Sequence, residues 1–313
     1  MKGLELSKLY YQELCSPLLA SRFPDLVPRI AAGLVGEGSE CLGFDDELSR
    51  DHDWGVAVCL WLGERDYAES GEALQQTLLQ LPRQFRGYPA KVETTWPVGR
   101  TGVLEIGRFY YKFLGQSTVP ESLLDWLSIP EIFLATATNG AVFADPSGEF
   151  TSIREQLLAF YPEDVRRKKL AAKCVKISQA GQYNFPRCAA RKEYVAAAMA
   201  EAAFIDAVCS AVFLLNKRYK PFYKWMHRAL PSLPLLGREV SNALTALAST
   251  TGEPTQACRE KIRIIETTSD LLGRELVRQG LSDASGDFLL EHGRSIQNTI
   301  HDATLRDIDV LLG

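Results

Sequence analysis

The chain has 313 residues, of which 46% are apolar and 24% are charged, so it is long enough for two folded domains and is not an intrinsically disordered protein. Its net charge of −4 weighs against a plain nucleic-acid binder, whose surface should be basic. Seven cysteines without a C-x-x-C pair and four histidines without an H-x-x-H spacing weigh against a zinc enzyme.

The first half of the chain mixes helix and strand patterns. Apolar residues at helical spacing predict helices over residues 6–20 and 67–81. Apolar and β-branched runs predict strands over residues 53–62, 91–96 and 102–109, and residues 30–35 form either a short strand or a helix end. Residues 139–146 predict a last short strand and turn. This mixture predicts an α+β domain in which helices flank a mixed sheet.

The second half of the chain has helix patterns and few strand patterns. They predict helices over residues 152–160, 162–180, 186–216, 223–230, 238–249, 255–279 and 288–312. We therefore expect a C-terminal helical bundle, with residues 1–150 forming the first domain and residues 151–313 the second.

Neither the N-terminus nor the longest apolar run predicts a membrane protein. The N-terminus lacks the basic start and apolar run of a signal peptide, and Glu201 and Asp206 interrupt the apolar residues 196–215. We expect a cytoplasmic protein with reduced thiols.

Charge is distributed unevenly between the two predicted domains. Residues 1–150 carry 12 Lys and Arg against 21 Asp and Glu, a balance of −9, whereas residues 151–313 carry 23 against 18, a balance of +5. An acidic domain beside a basic one suits a cleft in which acids hold metal ions and bases hold phosphates. A basic face that simply contacts solvent is the alternative.

The most informative stretch of the sequence is residues 36–55. It contains the turn Gly38-Ser39, and eleven residues separate Ser39 from Asp51 in the sequence Asp51-x-Asp53, which enters an apolar run. On a strand, residues two apart face the same side, so Asp51 and Asp53 would present two carboxylates together. Mg²⁺ prefers such oxygen ligands, and Gly38 and Ser39 allow a phosphate to approach the backbone closely.

This arrangement resembles the signature of the nucleotidyltransferase superfamily, which has Gly-Ser, a spacer of about ten residues and then Asp-x-Asp. The stretch from Leu42 to Gly55 further resembles an uncharacterised nucleotidyltransferase-like family that carries a helical second domain and is related to kanamycin and lincosamide nucleotidyltransferases. The resemblance extends over most of residues 1–230 and does not identify an acceptor.

The resemblance implies transfer of a nucleoside monophosphate, AMP from ATP, under two Mg²⁺ ions about 3.5–4 Å apart. Asp51 and Asp53 would bind both ions, and Glu105, with Glu93 as the competitor, would supply a third carboxylate or the base. Gly38 and Ser39 would hold the β- and γ-phosphates. From the helical domain, four cations would approach the triphosphate, namely Arg187, Arg191, Lys220 and Lys224.

Each of these assignments has a structural alternative. The Gly-Ser turn and the Asp-x-Asp pair could be a surface turn and a capped strand, and Glu105 could be an edge-strand acid that faces water. The four cations could form a salt-bridged face or surround an aromatic cluster. Asp45 and Asp46 are expected to brace the loop rather than bind metal.

Two other functions stay open at this point. The chain could be a catalytically silent nucleotide-binding or regulatory module, although all candidate carboxylates are present. It could also act on RNA, but the acidic first domain and the isoelectric point near 5.7 weigh against that.

Overall fold

The structure is a computed structural model that describes residues 1–51, 54–91 and 100–313, with the side chain of Asp51 left out. The chain forms two compact units. Unit 1 contains residues 1–120 and 133–159, and unit 2 contains residues 121–132 and 160–313. These units differ from the predicted domains in two ways, because residues 151–159 belong to unit 1 and residues 121–132 belong to unit 2.

The elements begin with two helices joined by a π-helical turn and then alternate between strands and helices. In chain order, the elements up to residue 158 are α1 (Gly3–Tyr10), α2 (Ser16–Arg22), β1 (Ala31–Leu34), β2 (Cys59–Leu62), α3 (Glu64–Leu78), β3 (Gln84–Phe85), β4 (Tyr88–Pro89), β5 (Gly102–Glu105), α4 (Ile106–Leu114), α5 (Leu123–Ser128), α6 (Glu131–Thr138), β6 (Ala141–Ala144) and α7 (Glu149–Leu158). The remaining elements are helices: α8 (Glu163–Ile177), α9 (Phe185–Ala190), α10 (Tyr194–Leu215), α11 (Tyr223–Ala229), α12 (Gly237–Ser249), α13 (Pro254–Arg278), α14 (Leu289–Asn298) and α15 (Ala303–Asp307).

Unit 1 is built on a mixed sheet with the strand order β5-β2-β1-β6. Strand β1 is antiparallel to β2 and β6, whereas β2 and β5 are parallel, with Cys59 opposite Gly102 and Leu62 opposite Glu105. Strand β1 allows close packing because it contains Gly33, where an added Cβ would lie 2.5 Å from the carbonyl oxygen of Ala141. This sheet, together with the helical residues that follow, confirms the predicted α+β class.

The two faces of β2 bury different sets of side chains, as expected for a strand. Val58, Leu60 and Leu62 belong to the core cluster that includes residues of α1 and α3. Trp61 points to the opposite face, where its ring stacks on Phe150 of α7 at a centroid distance of 4.0 Å. Both faces are therefore buried, which explains why residues 56–62 form a continuous apolar run, although only Cys59–Leu62 of the predicted strand form β2.

The predicted strand over residues 102–109 is correct only for its first half. Strand β5 ends at Glu105, and helix α4 begins at Ile106. The buried residues of α4 include Ile106, Phe109, Tyr110 and Phe113, which recur at the spacing of a helical face. A short apolar run with aromatic residues fits a strand or a helix, and here the helical spacing decides.

Unit 2 is helical, as predicted, although two of the predicted helices are interrupted. Residues 191–193 separate α9 from α10, and residues 299–302 separate α14 from α15. Helix α10 is long and apolar enough to cross a membrane by composition, with a mean hydropathy of 1.9 over its most apolar window, of which 56% is buried. Its polar residues have partners within unit 2: Glu201 pairs with Lys261 at 2.7 Å, and Asp206 pairs with Lys220. These contacts are those of a core helix.

Helix α8 places a lysine in the interior of unit 2. Lys169 is buried, and its ammonium donates to the carbonyl oxygens of Leu127 at 2.9 Å and Ile129 at 3.4 Å, near the C-terminus of α5. A cation is favourable at a helix C-terminus because the last carbonyls lack partners there. Burial nevertheless lowers the pKa of Lys169 from 10.5 to about 8.

This lowered pKa predicts how stability changes with pH. The folded protein binds the Lys169 proton less tightly than the unfolded chain does, so the free energy of unfolding should rise between pH 8 and 10.5, by up to roughly 3 kcal/mol from this group. In Lys169→Met this titration is lost. The wild type should therefore gain stability relative to the variant across that range in urea denaturation. Lys176→Met, at an exposed position of α8, is the control, and a flat difference for both variants would contradict the prediction.

Candidate functional site

The turn after β1 contains glycines with unusual backbone angles and is hydrogen-bonded to the residues that precede β6. Gly36 and Gly38 have φ angles of +127° and +138°, which L side chains rarely adopt. The side chain of Asn139 accepts a hydrogen bond from the Gly36 amide at 2.9 Å and donates to its carbonyl at 2.8 Å. Gly140 donates its amide to the Cys41 carbonyl at 2.8 Å. The predicted Gly38-Ser39 turn therefore has a defined geometry.

A buried ion pair lies directly behind this turn. The Glu40 carboxylate contacts the Lys91 ammonium at 2.6 Å, and the two side chains are only 3% and 5% exposed. An added Cβ on Gly38 would lie 2.6 Å from the Glu40 carboxylate oxygens, so a side chain at position 38 would disturb the pair. The pair joins residues 51 positions apart, and no pattern in the sequence indicated it.

The start of α1 brings the Gly-Ser turn next to the residue that follows Asp53. An added Cβ on Gly3 would lie 2.8 Å from the Glu40 Cβ and 3.0 Å from the Trp54 indole nitrogen. Asp45 joins two of these elements, since one carboxylate oxygen accepts from the Gly3 amide at 2.8 Å and from the Trp54 indole at 3.1 Å. Glu40 and Trp54 are therefore neighbours, and Asp45 braces the loop as expected.

The residues on either side of the Asp-x-Asp sequence also contact each other. The Arg50 guanidinium carbon lies 5.1 Å from the centre of the Trp54 ring, which meets Tyr88 edge-on at 5.4 Å. Asp46 closes the preceding turn by accepting from the Ser49 amide at 3.1 Å. The chain is thus fixed immediately before Asp51 and immediately after Asp53.

Asp53 and Glu93 lie outside the described residues, and of Asp51 only the backbone is described, as the last residue of a 3₁₀ turn. In the part of the chain that is described, no three His, Cys, Asp or Glu side chains group as metal ligands do. Burial, reinforced by Glu40, raises the pKa of the Cys41 thiol well above 9.0.

Glu105 is the last residue of β5 and lies opposite Leu62, the last residue of β2. It lines a cavity of unit 1 together with Gly36 and Glu37, the two residues that precede Gly38. Its carboxylate contacts Arg108 at 2.8 Å. By contrast, Lys91, two residues before Glu93, pairs with Glu40 beside the Gly-Ser turn. Glu105 is therefore already in an ion pair, and its competitor Glu93 lies outside the described residues.

The four predicted phosphate-binding cations lie in unit 2 and differ in their contacts. Lys220 is buried and paired with Asp206, so a phosphate would have to displace an existing partner. Arg187 stacks on the Tyr183 ring at 3.8 Å while remaining exposed. The exposed Lys224 lies 5.1 Å from the Trp225 ring, and Arg191 is exposed at the end of α9.

The Glu40–Lys91 pair yields a stability prediction. Lys91→Met would leave the Glu40 carboxylate buried without its partner, which should lower the free energy of unfolding by about 3–5 kcal/mol. Glu40→Gln combined with Lys91→Met should cost less than Lys91→Met alone, since no charge remains buried. Urea denaturation measures both.

Arg65→Met is the control, because Arg65 forms an exposed pair with Glu69 whose loss should cost no more than about 1 kcal/mol. The prediction is contradicted if the double variant is as unstable as the sum of its two single variants.

Comparison with known proteins gives one family match and one structural likeness. The family described as "Domain of unknown function (DUF4037)" matches residues 126–226, a range that contains neither the Gly38-Ser39 turn nor Asp51 and Asp53. A nucleotidyltransferase-like protein from Exiguobacterium sibiricum 255-15 aligns over 85% of this chain and 79% of its own, with 13% identity and a TM-score of 0.36. No curated protein matches the sequence.

Proposed function

We propose that this chain is a magnesium-dependent nucleotidyltransferase that transfers AMP from ATP to an acceptor hydroxyl or phosphate. The observation that carries the proposal is the meeting of Glu40 and Trp54 at Gly3. Glu40 directly follows the Gly38-Ser39 turn, and Trp54 directly follows Asp53. Their shared proximity to Gly3 supports a placement of the proposed phosphate-binding turn beside the start of the carboxylate pair's flank, the pairing that nucleotidyl transfer requires.

The turn would hold the β- and γ-phosphates. An added Cβ on Gly36 would meet nothing within 4 Å, so the backbone has open space on that side. Gly38 keeps the chain in a conformation that other residues rarely adopt, and Ser39 offers a hydroxyl. Backbone amides in such a turn bind anions without a charged side chain, which suits the acidic first half of the chain.

Asp51 and Asp53 would hold the metal ions, because two carboxylates one residue apart match the oxygen ligands that Mg²⁺ prefers. Bound magnesium would supply charge neutralisation at the α-phosphate and at the leaving group. The acceptor oxygen would form a bond to the α-phosphorus as the bond from that phosphorus to the β-phosphate oxygen breaks. Pyrophosphate leaves, and the acceptor proton passes to the third carboxylate.

The third carboxylate would be Glu93 rather than Glu105. The ion pair of Lys91 with Glu40 brings the chain to the Gly-Ser turn two residues before Glu93, whereas Glu105 is paired with Arg108. The sequence context alone favours Glu105, because its neighbours are apolar.

Arg191 and Lys224, which are exposed, are better candidates for triphosphate contacts than the buried Lys220. The relation to kanamycin and lincosamide nucleotidyltransferases stays a prediction.

The first test removes the carboxylate pair. Asp51→Asn and Asp53→Asn should each lower magnesium-dependent pyrophosphate release from ATP, assayed with a metabolite pool as acceptor, by about 100-fold or more, since a metal contact is worth several kcal/mol. Asp46→Asn should retain activity, because Asp46 accepts a hydrogen bond from the Ser49 amide and has no proposed role at the metal ions. Wild-type rates in both Asn variants would disprove the carboxylate roles. Calorimetric binding of MgATP with no pyrophosphate release would instead support a silent nucleotide-binding module.

The second test separates the two candidates for the third carboxylate. Glu93→Gln should lower pyrophosphate release by about 100-fold at unchanged MgATP affinity, because general-base catalysis contributes 10²–10⁴-fold. Glu105→Gln should retain at least about a tenth of the wild-type rate, because the Glu105 carboxylate is already paired with Arg108. The reverse pattern would assign the role to Glu105.

A further inference from the structure

Unit 1 contains a cavity of about 150 Å³ whose wall begins at the Gly-Ser turn. Gly36 and Glu37, immediately before Gly38, form one side, and the end of β5 with one face of α4 forms the other. Gly38 and Ser39, which would hold the phosphates, are not among the residues that line the cavity. Its position beside the phosphate-binding turn makes it available to a second ligand.

The interior of the cavity is apolar and aromatic. Tyr67, Phe109 and Phe113 line it together with Val35 and Leu104. A cavity of about this volume in another protein accommodates benzene, which has six heavy atoms. A nucleoside triphosphate is several times larger, so the cavity suits one small ring, with a charged group at its border, and not the nucleotide.

Two cations border the cavity from the same face of α4. Arg108 and Lys112 are one turn apart, an arrangement of like charges that is unfavourable on a helix unless an anion lies nearby. Arg108 also lies over the Tyr67 ring at 5.6 Å, and Lys112 lies over the Phe113 ring at 5.3 Å. Both cations are therefore held against the aromatic lining.

Carboxylates already balance part of this charge. Glu105 contacts Arg108 at 2.8 Å, but the Arg108 side chain is 78% exposed, so solvent screens the pair. Glu37 contacts both Lys112 at 2.8 Å and Arg100 at 3.4 Å. One carboxylate shared by two cations leaves hydrogen-bonding capacity on Lys112, whose side chain is 35% exposed.

We propose that this cavity binds the acceptor of the transfer reaction, and that the acceptor is a small organic molecule with a phosphate group. A phosphate group carries about two negative charges and several oxygens that accept hydrogen bonds. These properties match two cations one helical turn apart. The aromatic lining takes the carbon part of the molecule. The identification of the bound molecule as the acceptor rests on the proposed function. The binding of a small phosphate ester to the cavity does not depend on it.

The test uses phenyl phosphate, which combines one ring with one phosphate, and inorganic phosphate as a second probe. In titration calorimetry, the wild type should bind phenyl phosphate more tightly than inorganic phosphate. Lys112→Met and Arg108→Gln should each weaken binding of phenyl phosphate about tenfold or more, as expected for loss of a charged hydrogen bond. Arg65→Gln, which removes an exposed cation of α3, should bind as the wild type does. Circular dichroism checks that each variant is folded.

The outcomes separate this inference from the proposed function. Phenyl phosphate should also bind to Asp51→Asn, because the cavity does not depend on metal ligands. If the wild type does not bind phenyl phosphate, or if Lys112→Met and Arg108→Gln bind it as the wild type does, the inference fails whether or not ATP is turned over. If phenyl phosphate binds through Lys112 but does not compete with the acceptor in pyrophosphate release, the acceptor assignment fails while the transferase activity stands.

Discussion

The ion pair between Glu40 and Lys91 is the interaction on which the arrangement of unit 1 depends. Two charges that are almost entirely removed from solvent are tolerated only when each has its partner, so the pair admits a single placement of the two segments that carry them. One segment begins with the glycine turn after β1, and the other leads from β4 towards β5. Asp45 provides a second connection, because its carboxylate accepts hydrogen bonds from the Gly3 amide and from the Trp54 indole.

The two units stabilise their interiors by different means. The sheet of unit 1 is buried by aromatic and aliphatic residues that alternate between its faces, with Trp61 on one side and Leu60 on the other. The helices of unit 2 enclose lysines instead. Lys168 binds the carbonyl oxygens of Ile308 and Asp309 at 2.7 and 2.8 Å, and Lys169 binds those of Leu127 and Ile129 at the end of α5. In unit 2, buried ammonium groups thus connect the C-terminal residues and the end of α5 to α8, and burial lowers the pKa of both lysines.

These contacts change how the basic second half of the chain is understood. Its surplus of positive charge suggested a phosphate-gripping surface, yet Lys168, Lys169 and Lys220 are buried and have partners within unit 2. Counting charges cannot distinguish a lysine that faces solvent from one that caps a helix. In unit 1 the opposite holds, since Arg108 and Lys112 belong to an acidic stretch of sequence but lie together at a cavity.

Local patterns in the sequence were enough to predict the α+β class, the glycine turn after the first strand and most helices, because each depends on residues within a few positions of one another. They did not reveal the Glu40–Lys91 pair, the cavity or the end of β5 at Glu105. Ionic partners 51 positions apart leave no periodic trace, and a short aromatic run such as residues 106–113 fits two secondary structures. Only tertiary packing decides these features, since burial determines which charges must pair and which face of a segment must be apolar.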